Sequence, residues 1–153
     1  MFFKPTPTNY VYVSRYDPNH ILASYSKHAF ELDGAEWPSA EHYYQAMKFE
    51  DESIQEQIRQ AADPYDAVKI SKKHKRKMRK DWKKIKATVM TRGLYIKCRT
   101  HDRVSTALLK TEDRKIVERS QYDYYWGCGR DGRGDNVYGK VLMDIRIKLA
   151  ELE

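Results

Sequence analysis

Hydrophobic and polar positions alternate over residues 10–16, with Tyr10, Tyr12 and Ser14 against Val11, Val13 and Arg15. A period of two predicts a strand. Phe30-Glu31-Leu32 and Ala35-Glu36-Trp37 flank Asp33-Gly34, a pair that supplies the positive φ angles of a type I′ turn. The expected hairpin sets Leu32 opposite Ala35 and Phe30 opposite Trp37, which makes one apolar face, and Glu31 opposite Glu36. Pro38-Ser39 opens a helix expected to run to about Asp51, with Ser39 as N-cap. At 100° per residue Tyr43, Ala46 and Met47 share one side, while Glu41, Gln45 and Lys48 form a narrow polar stripe. Such a stripe is ordinarily a solvated face, but Trp37, Tyr44 and Phe49 flank it.

Further helices are predicted over residues 53–62, stopped by Asp63-Pro64, from Tyr65 through a basic run, and over residues 82–99, where Ile85, Val89 and Ile96 share a face. Asp102 is placed to cap a short helix ending near Lys110. Ile116-Val117-Glu118 reads as a short strand, and residues 137–152 as a helix with Leu142, Ile145 and Leu149 along its core stripe. No internal repeat or Gly/Ser/Pro tract divides the chain. The expected fold is therefore α+β: a predominantly helical single domain over residues 1–153 with a small number of short strands.

Charge changes this picture. The 153 residues carry a net +7, yet residues 69–86 hold eleven of the 29 Lys and Arg and one acid, Asp81. The remaining residues carry 18 basic and 21 acidic side chains, so one segment makes the protein basic. Residues 72–80 could grip a nucleic-acid backbone or a phosphorylated small molecule, or form a solvated helix face. Met78, Trp82 and Ile85, spaced by four and three, predict a surface helix pinned by a thin apolar edge, with Trp82 available to a ligand. The apolar runs are too short for a transmembrane helix, and Met-Phe-Phe-Lys-Pro-Thr lacks the regions of a secretory leader. Cys98 and Cys128 make no disulfide framework, so a cytoplasmic setting is expected.

Several motifs carry little. Gly127-Cys128-Gly129-Arg130-Asp131-Gly132 matches a dinucleotide-binding pattern, but neither a β-branched strand nor a βαβ unit surrounds it. A flexible loop over residues 127–139 remains, which either brings backbone N–H groups to a phosphate or is a ligand-free turn. Arg133-Gly134-Asp135 has no extracellular context. The five histidines lack metal-type spacing, so neither a metal nor a cofactor is expected.

Four blocks together resemble a known family. They are Trp37-Pro38-Ser39-Ala40-Glu41-His42-Tyr43-Tyr44-Gln45-Ala46-Met47-Lys48-Phe49; Arg79-Lys80-Asp81-Trp82 with Val89-Met90 and Lys97; Val117-Glu118 with residues 123–129; and residues 132–139 with Leu142-Met143 and Arg146. This pattern is similar to the NADAR, or YbiA-like, family over roughly residues 22–149. Ala23-Ser24-Tyr25 stands where family members usually read Ser-Asn-Phe.

The resemblance implies an N-glycosidase that hydrolyses a ribose C1–N bond. The substrate would be a phosphoribosylamino-pyrimidine intermediate of riboflavin synthesis or an ADP-ribosylated guanine of nucleic acid. Cleavage develops positive charge on the sugar, which carboxylates stabilise, making Glu41 and Asp123 the catalytic candidates. Lys48 either neutralises them or, desolvated, attacks C1 to form a Schiff base. Gln45 belongs to the same substrate-facing stripe. Trp82 and Trp126 suit stacking on base or sugar; Gly127, Gly129 and Gly134 suit a phosphate or sugar wall; Asn136 suits donation to a ribose hydroxyl or phosphate. Two other classes stay open: a module that binds ADP-ribose or a related nucleotide without cleaving it, and a nucleic-acid-binding module that uses residues 72–80.

Overall fold

The computed structural model describes residues 9–153; the N-terminal stretch read above for a leader lies outside them. Strand β1 (Tyr10–Val13) pairs in parallel with β4 (Lys115–Glu118), matching Val11 with Ile116 and Val13 with Glu118. Hairpin β2 (Phe30–Leu32) and β3 (Ala35–Trp37) has the expected register, Phe30 opposite Trp37 and Leu32 opposite Ala35, about a positive-φ Asp33-Gly34 turn. Six helices complete the described chain: α1 (Ala40–Ala46), α2 (Glu52–Arg59), α3 (Pro64–Lys73), α4 (Trp82–Thr100), α5 (Asp102–Leu109) and α6 (Val137–Glu151). The core lies where α1, α4, α6 and β4 meet, around Tyr43, Met90, Leu94, Ile116, Tyr138, Leu142 and Ile145.

Several boundaries differ from the periodicity. Strand β1 stops at Val13 instead of reaching Tyr16, because the next residues turn (Asp17 N–H to the Ser14 carbonyl, 3.1 Å) and Arg15 N–H donates to the Glu118 carboxylate at 2.8 Å. Helix α1 ends at Ala46, not near Asp51. Tight i→i+3 bonds from Lys48 and Phe49 close it, Arg79 N–H takes the Lys48 carbonyl at 2.8 Å, and Asp51 caps α2. Asp102 is the first residue of α5 and not its cap.

The basic run is not one helix. After α3 come a 3₁₀ turn (Lys75–Lys77) and extended backbone at Met78, and α4 begins only at Trp82. The Met78–Trp82–Ile85 stripe therefore does not exist. The Arg79–Lys48 backbone bond and the Arg79–Asp81 ion pair (2.6 Å) hold the break.

Candidate active site

Both sides of α1 are covered, so its polar stripe is no solvated face. Glu41 lies in the first turn at 0% exposure, and Gln45 is also buried. Glu41 Oε1 accepts from the Arg15 guanidinium at 2.5 Å and from Ser24 Oγ at 2.7 Å, and Oε2 accepts from Gln45 Nε2 at 2.7 Å. Its backbone N–H donates to the Ser24 carbonyl at 3.0 Å. Three donors on a buried carboxylate meet the need of such a charge for full hydrogen bonding.

Arg15 is the centre of this cluster at 5% exposure. Its guanidinium lies over the rings of Tyr16 (4.7 Å), Tyr44 and Trp126 (5.6 Å each). Burial is the largest influence and opposes its charge, but Glu41 together with Tyr16, Tyr44 and Tyr25 outweighs it and raises the guanidinium above its ordinary value. Nothing in the local sequence marked Arg15 beyond its place on the inward side of the strand alternation. Ser24 was marked only as a departure from the family pattern, and it supplies one of the Glu41 donors.

Asp123 meets the same cluster from its rim. Its Oδ1 caps the 123–126 turn, accepting from the backbone of Tyr125 (3.0 Å) and Trp126 (2.8 Å), and Oδ2 accepts from the Tyr16 hydroxyl at 3.2 Å. Lys86 stands 3.8 Å above the Tyr125 ring centre. Burial lowers the Lys86 amine below the ordinary lysine range, against the pull of Asp123.

Lys48 follows the end of α1, half-buried, with its amine 5.6 Å from the Tyr44 ring centre. Burial pushes that amine below the usual lysine value; Glu41 pulls it up, and Arg15, Lys72 and Lys86 press it further down. It lines a cavity of about 450 Å³ with Ser71, Lys72, Lys75 and Met78. An adjoining depression runs along residues 72–77. Among the described residues, Lys77 alone of that run meets a carboxylate, Asp51 at 3.9 Å. The positive segment therefore forms one wall of the Lys48 cavity.

The remaining candidates are placed differently from expectation. Trp82 and Trp126, each 5% exposed, pack against Tyr44 with ring centres at 5.1 and 5.6 Å, so neither presents an open face to a base. Asn136 spends its amide on β4: Nδ2 donates to the Ile116 carbonyl (2.9 Å) and Oδ1 accepts from Glu118 N–H (2.8 Å). It clamps a strand with one bond from each end of its amide.

The 127–139 loop is likewise no phosphate nest. The N–H groups of Asn136, Val137 and Tyr138, where an anion would sit at α6, already donate to the carbonyls of Gly127, Tyr125 and Trp126. Gly127, Gly129 and Gly134 serve this close packing. A methyl on Gly134 would overlap the Gly127 carbonyl, and one on Gly129, at φ +73°, would meet the Tyr124 ring. Among the described residues no group of His, Cys, Asp and Glu side chains is arranged to hold a metal ion, and no helix is long and apolar enough to cross a membrane.

Comparison with known proteins places the chain in a family. A family model described as the NADAR domain matches residues 1–150. The chain is 36% identical over 129 residues to N-glycosidase YbiA of Escherichia coli K12, covering 84% of this chain and 81% of that one. It is 35% identical to N-glycosidase Npun_R5314 of Nostoc punctiforme, covering 90% of each. It is also 37% identical to riboflavin biosynthesis protein VVA0006 of Vibrio vulnificus, covering 92% of this chain but 39% of that one. The NMR structure of Escherichia coli YbiA superposes with a TM-score of 0.83 at 35% identity, over 94% of this chain and 88% of that chain. A similarity that spans both sequence and fold over nearly the whole length means that this chain belongs to the NADAR family.

Proposed function

We propose that this NADAR N-glycosidase hydrolyses the C1–N bond of a phosphate-bearing ribosyl substrate, with Lys48, Glu41 and Asp123 around the reacting sugar. The observation that carries the reading is the position of the Lys48 amine. It is half-buried, lies over Tyr44 within the field of Glu41, and opens onto a cavity walled by Lys72 and Lys75. A substrate phosphate held by that wall would place its sugar toward the carboxylates.

In a route through the closed ring, loss of the base leaves positive charge at C1 and the ring oxygen, which the Glu41 and Asp123 carboxylates stabilise through space. In the covalent version, the neutral Lys48 amine attacks C1 of the ring-opened ribosylamine. The C1–base bond breaks, the base leaves as its amine after taking a proton, and water then hydrolyses the Lys48–C1 imine to free the sugar. In the direct version, water attacks C1 and Lys48 only balances charge.

The names of riboflavin-biosynthesis relatives favour a phosphoribosylamino-pyrimidine as substrate. The basic depression continuing along residues 72–77 favours a second reading, ADP-ribosylated guanine within a nucleic-acid strand. Incubating the protein with each, with products identified by mass, decides between them, and turnover of neither sinks the proposal. Borohydride added during turnover traps a sugar adduct on Lys48 if the imine forms; an unmodified protein leaves the water route. Glu41→Gln leaves Arg15 without its partner, so it is first checked for folding; the folded variant should bind substrate without cleaving it, whereas a purely ligand-binding domain would show no turnover to lose.

A further inference from the structure

Lys97 is a buried lysine that the mechanism above does not use. It lies on α4 at 0% exposure, where a methionine would fill the space without stranding a charge. Its amine donates to the Ile21 carbonyl (2.8 Å), the Ala23 carbonyl (2.9 Å) and Ser26 Oγ (2.6 Å), so its three donors meet three acceptors. No carboxylate lies within ion-pair distance of it among the described residues. Burial lowers the amine to about 7.

All three acceptors belong to one connecting segment without regular structure, residues 21–26. Between the two carbonyls held by Lys97, that of Leu22 accepts from the Tyr138 hydroxyl of α6 at 2.6 Å. Three consecutive carbonyls are thereby fixed to the core from two helices. The next residue is Ser24, whose carbonyl takes Glu41 N–H at 3.0 Å and whose hydroxyl donates to Glu41 Oε1 at 2.7 Å. Tyr25 N–H then donates to the Arg15 carbonyl at 3.2 Å. The segment thus touches Glu41 and also the residue that pairs with it.

We propose that Lys97 is a positioning residue for the reaction: by holding the 21–26 segment from beneath, it sets Ser24, and through Ser24 the Glu41 carboxylate, in working geometry. This rests on the role assigned to Glu41. A misplacement of a positioned group by about an ångström costs up to about 100-fold in rate, so the effect falls on kcat and not on KM.

The test compares Lys97→Met, Ser24→Ala and the double variant, each checked for folding by circular dichroism and gel filtration, on the substrate that the wild type turns over. Lys97→Met is expected to lower kcat by about 10- to 100-fold with KM nearly unchanged, and the double variant to be no slower than the slower single variant, because both act on one carboxylate. A folded Lys97→Met enzyme with wild-type kcat, or losses that multiply in the double variant, overturns the proposal. Should Lys97→Met not fold, Ser26→Ala removes one acceptor and leaves the amine in place. It should then show a smaller kcat loss that does not multiply with Ser24→Ala; multiplication again overturns the proposal. Glu41→Gln measured alongside separates the two levels. If it retains full turnover, the role of Glu41 falls and that of Lys97 with it; if it is inactive while Lys97→Met is unimpaired, only Lys97 is wrong.

Discussion

Arg15 and Glu41 form a buried pair whose members depend on each other. With 5% and 0% exposure, neither can turn to water when its partner is lost. Arg15→Met should therefore cost about 3–5 kcal/mol in chemical denaturation, and Arg15→Met/Glu41→Gln should recover part of that loss by removing the stranded charge. An Arg15→Met protein of wild-type stability would mean that the pair is not buried in solution. His42 of the same helix makes a pH-dependent contribution. One ring nitrogen meets the Ala61 carbonyl at 3.1 Å and the other Ser39 Oγ at 2.7 Å, and burial lowers its pKa from the ordinary value. The folded state thus resists a proton that the unfolded chain takes up below about pH 6.5. Stability from this source is complete above that value and is lost as pH falls beneath it. His20 and His28 are shifted the same way. The melting temperature should fall between pH 7.5 and 5.5, and less steeply in His42→Gln; an equal slope in the variant would remove His42 from the account.

At the scale of elements, the 127–136 segment spends most of its hydrogen bonds within the fold. Asn136, in the left-handed region at φ 51°, joins α6 to β4 through both ends of its amide. Asn136→Ala leaves a buried N–H and carbonyl of β4 without that partner, at a cost of about 1–3 kcal/mol per group. Thermal stability should drop while KM of the folded variant stays unchanged; a raised KM would return Asn136 to the substrate. The hairpin was legible from Asp33-Gly34 because its chemistry is local: the turn sets the register. The Ser39 cap and the core stripe of α6 were legible for the same reason. The break at Met78 was not, since it is held by a backbone bond between segments about thirty residues apart, Arg79 to Lys48, which also ties down the chain just after α1. The site divides along the same line. Glu41, Gln45 and Lys48 share a stripe that a helical wheel displays, but only the folded chain shows that Arg15 and Ser24 meet its Glu41 end. The Gly-rich spacing records close backbone packing, and the N–H groups of Cys128, Gly129 and Gly132 are spent on carbonyls.

For the whole molecule, the question is what a slightly acidic body gains by concentrating its positive charge in residues 69–86. Were it only for solubility, the charge could lie anywhere on the surface. Instead, Lys72 and Lys75 line the cavity that Lys48 enters, and of residues 72–77 only Lys77 has a carboxylate near it among the described residues. A concave site with one sign of charge on its wall concentrates ligands of the other sign and raises association rates by about 10- to 1,000-fold, an effect that salt screens over about 10 Å at 0.1 M. It follows that kcat/KM should fall as salt is raised. Lys72→Gln/Lys75→Gln should lower kcat/KM at low ionic strength by about tenfold or more, chiefly through KM, and flatten the salt dependence. Lys140→Gln/Lys148→Gln, on α6 and outside this cavity, changes net charge by the same amount and should leave both unchanged. Equal responses of the two double variants would show that only total charge matters. The slope itself separates the substrates: a free phosphoribosyl compound occupies the cavity alone, whereas a strand would also lie along residues 73–77. Neutralising Lys73 and Arg76 should then weaken turnover of an ADP-ribosylated oligonucleotide and spare that of a small phosphoribosyl pyrimidine.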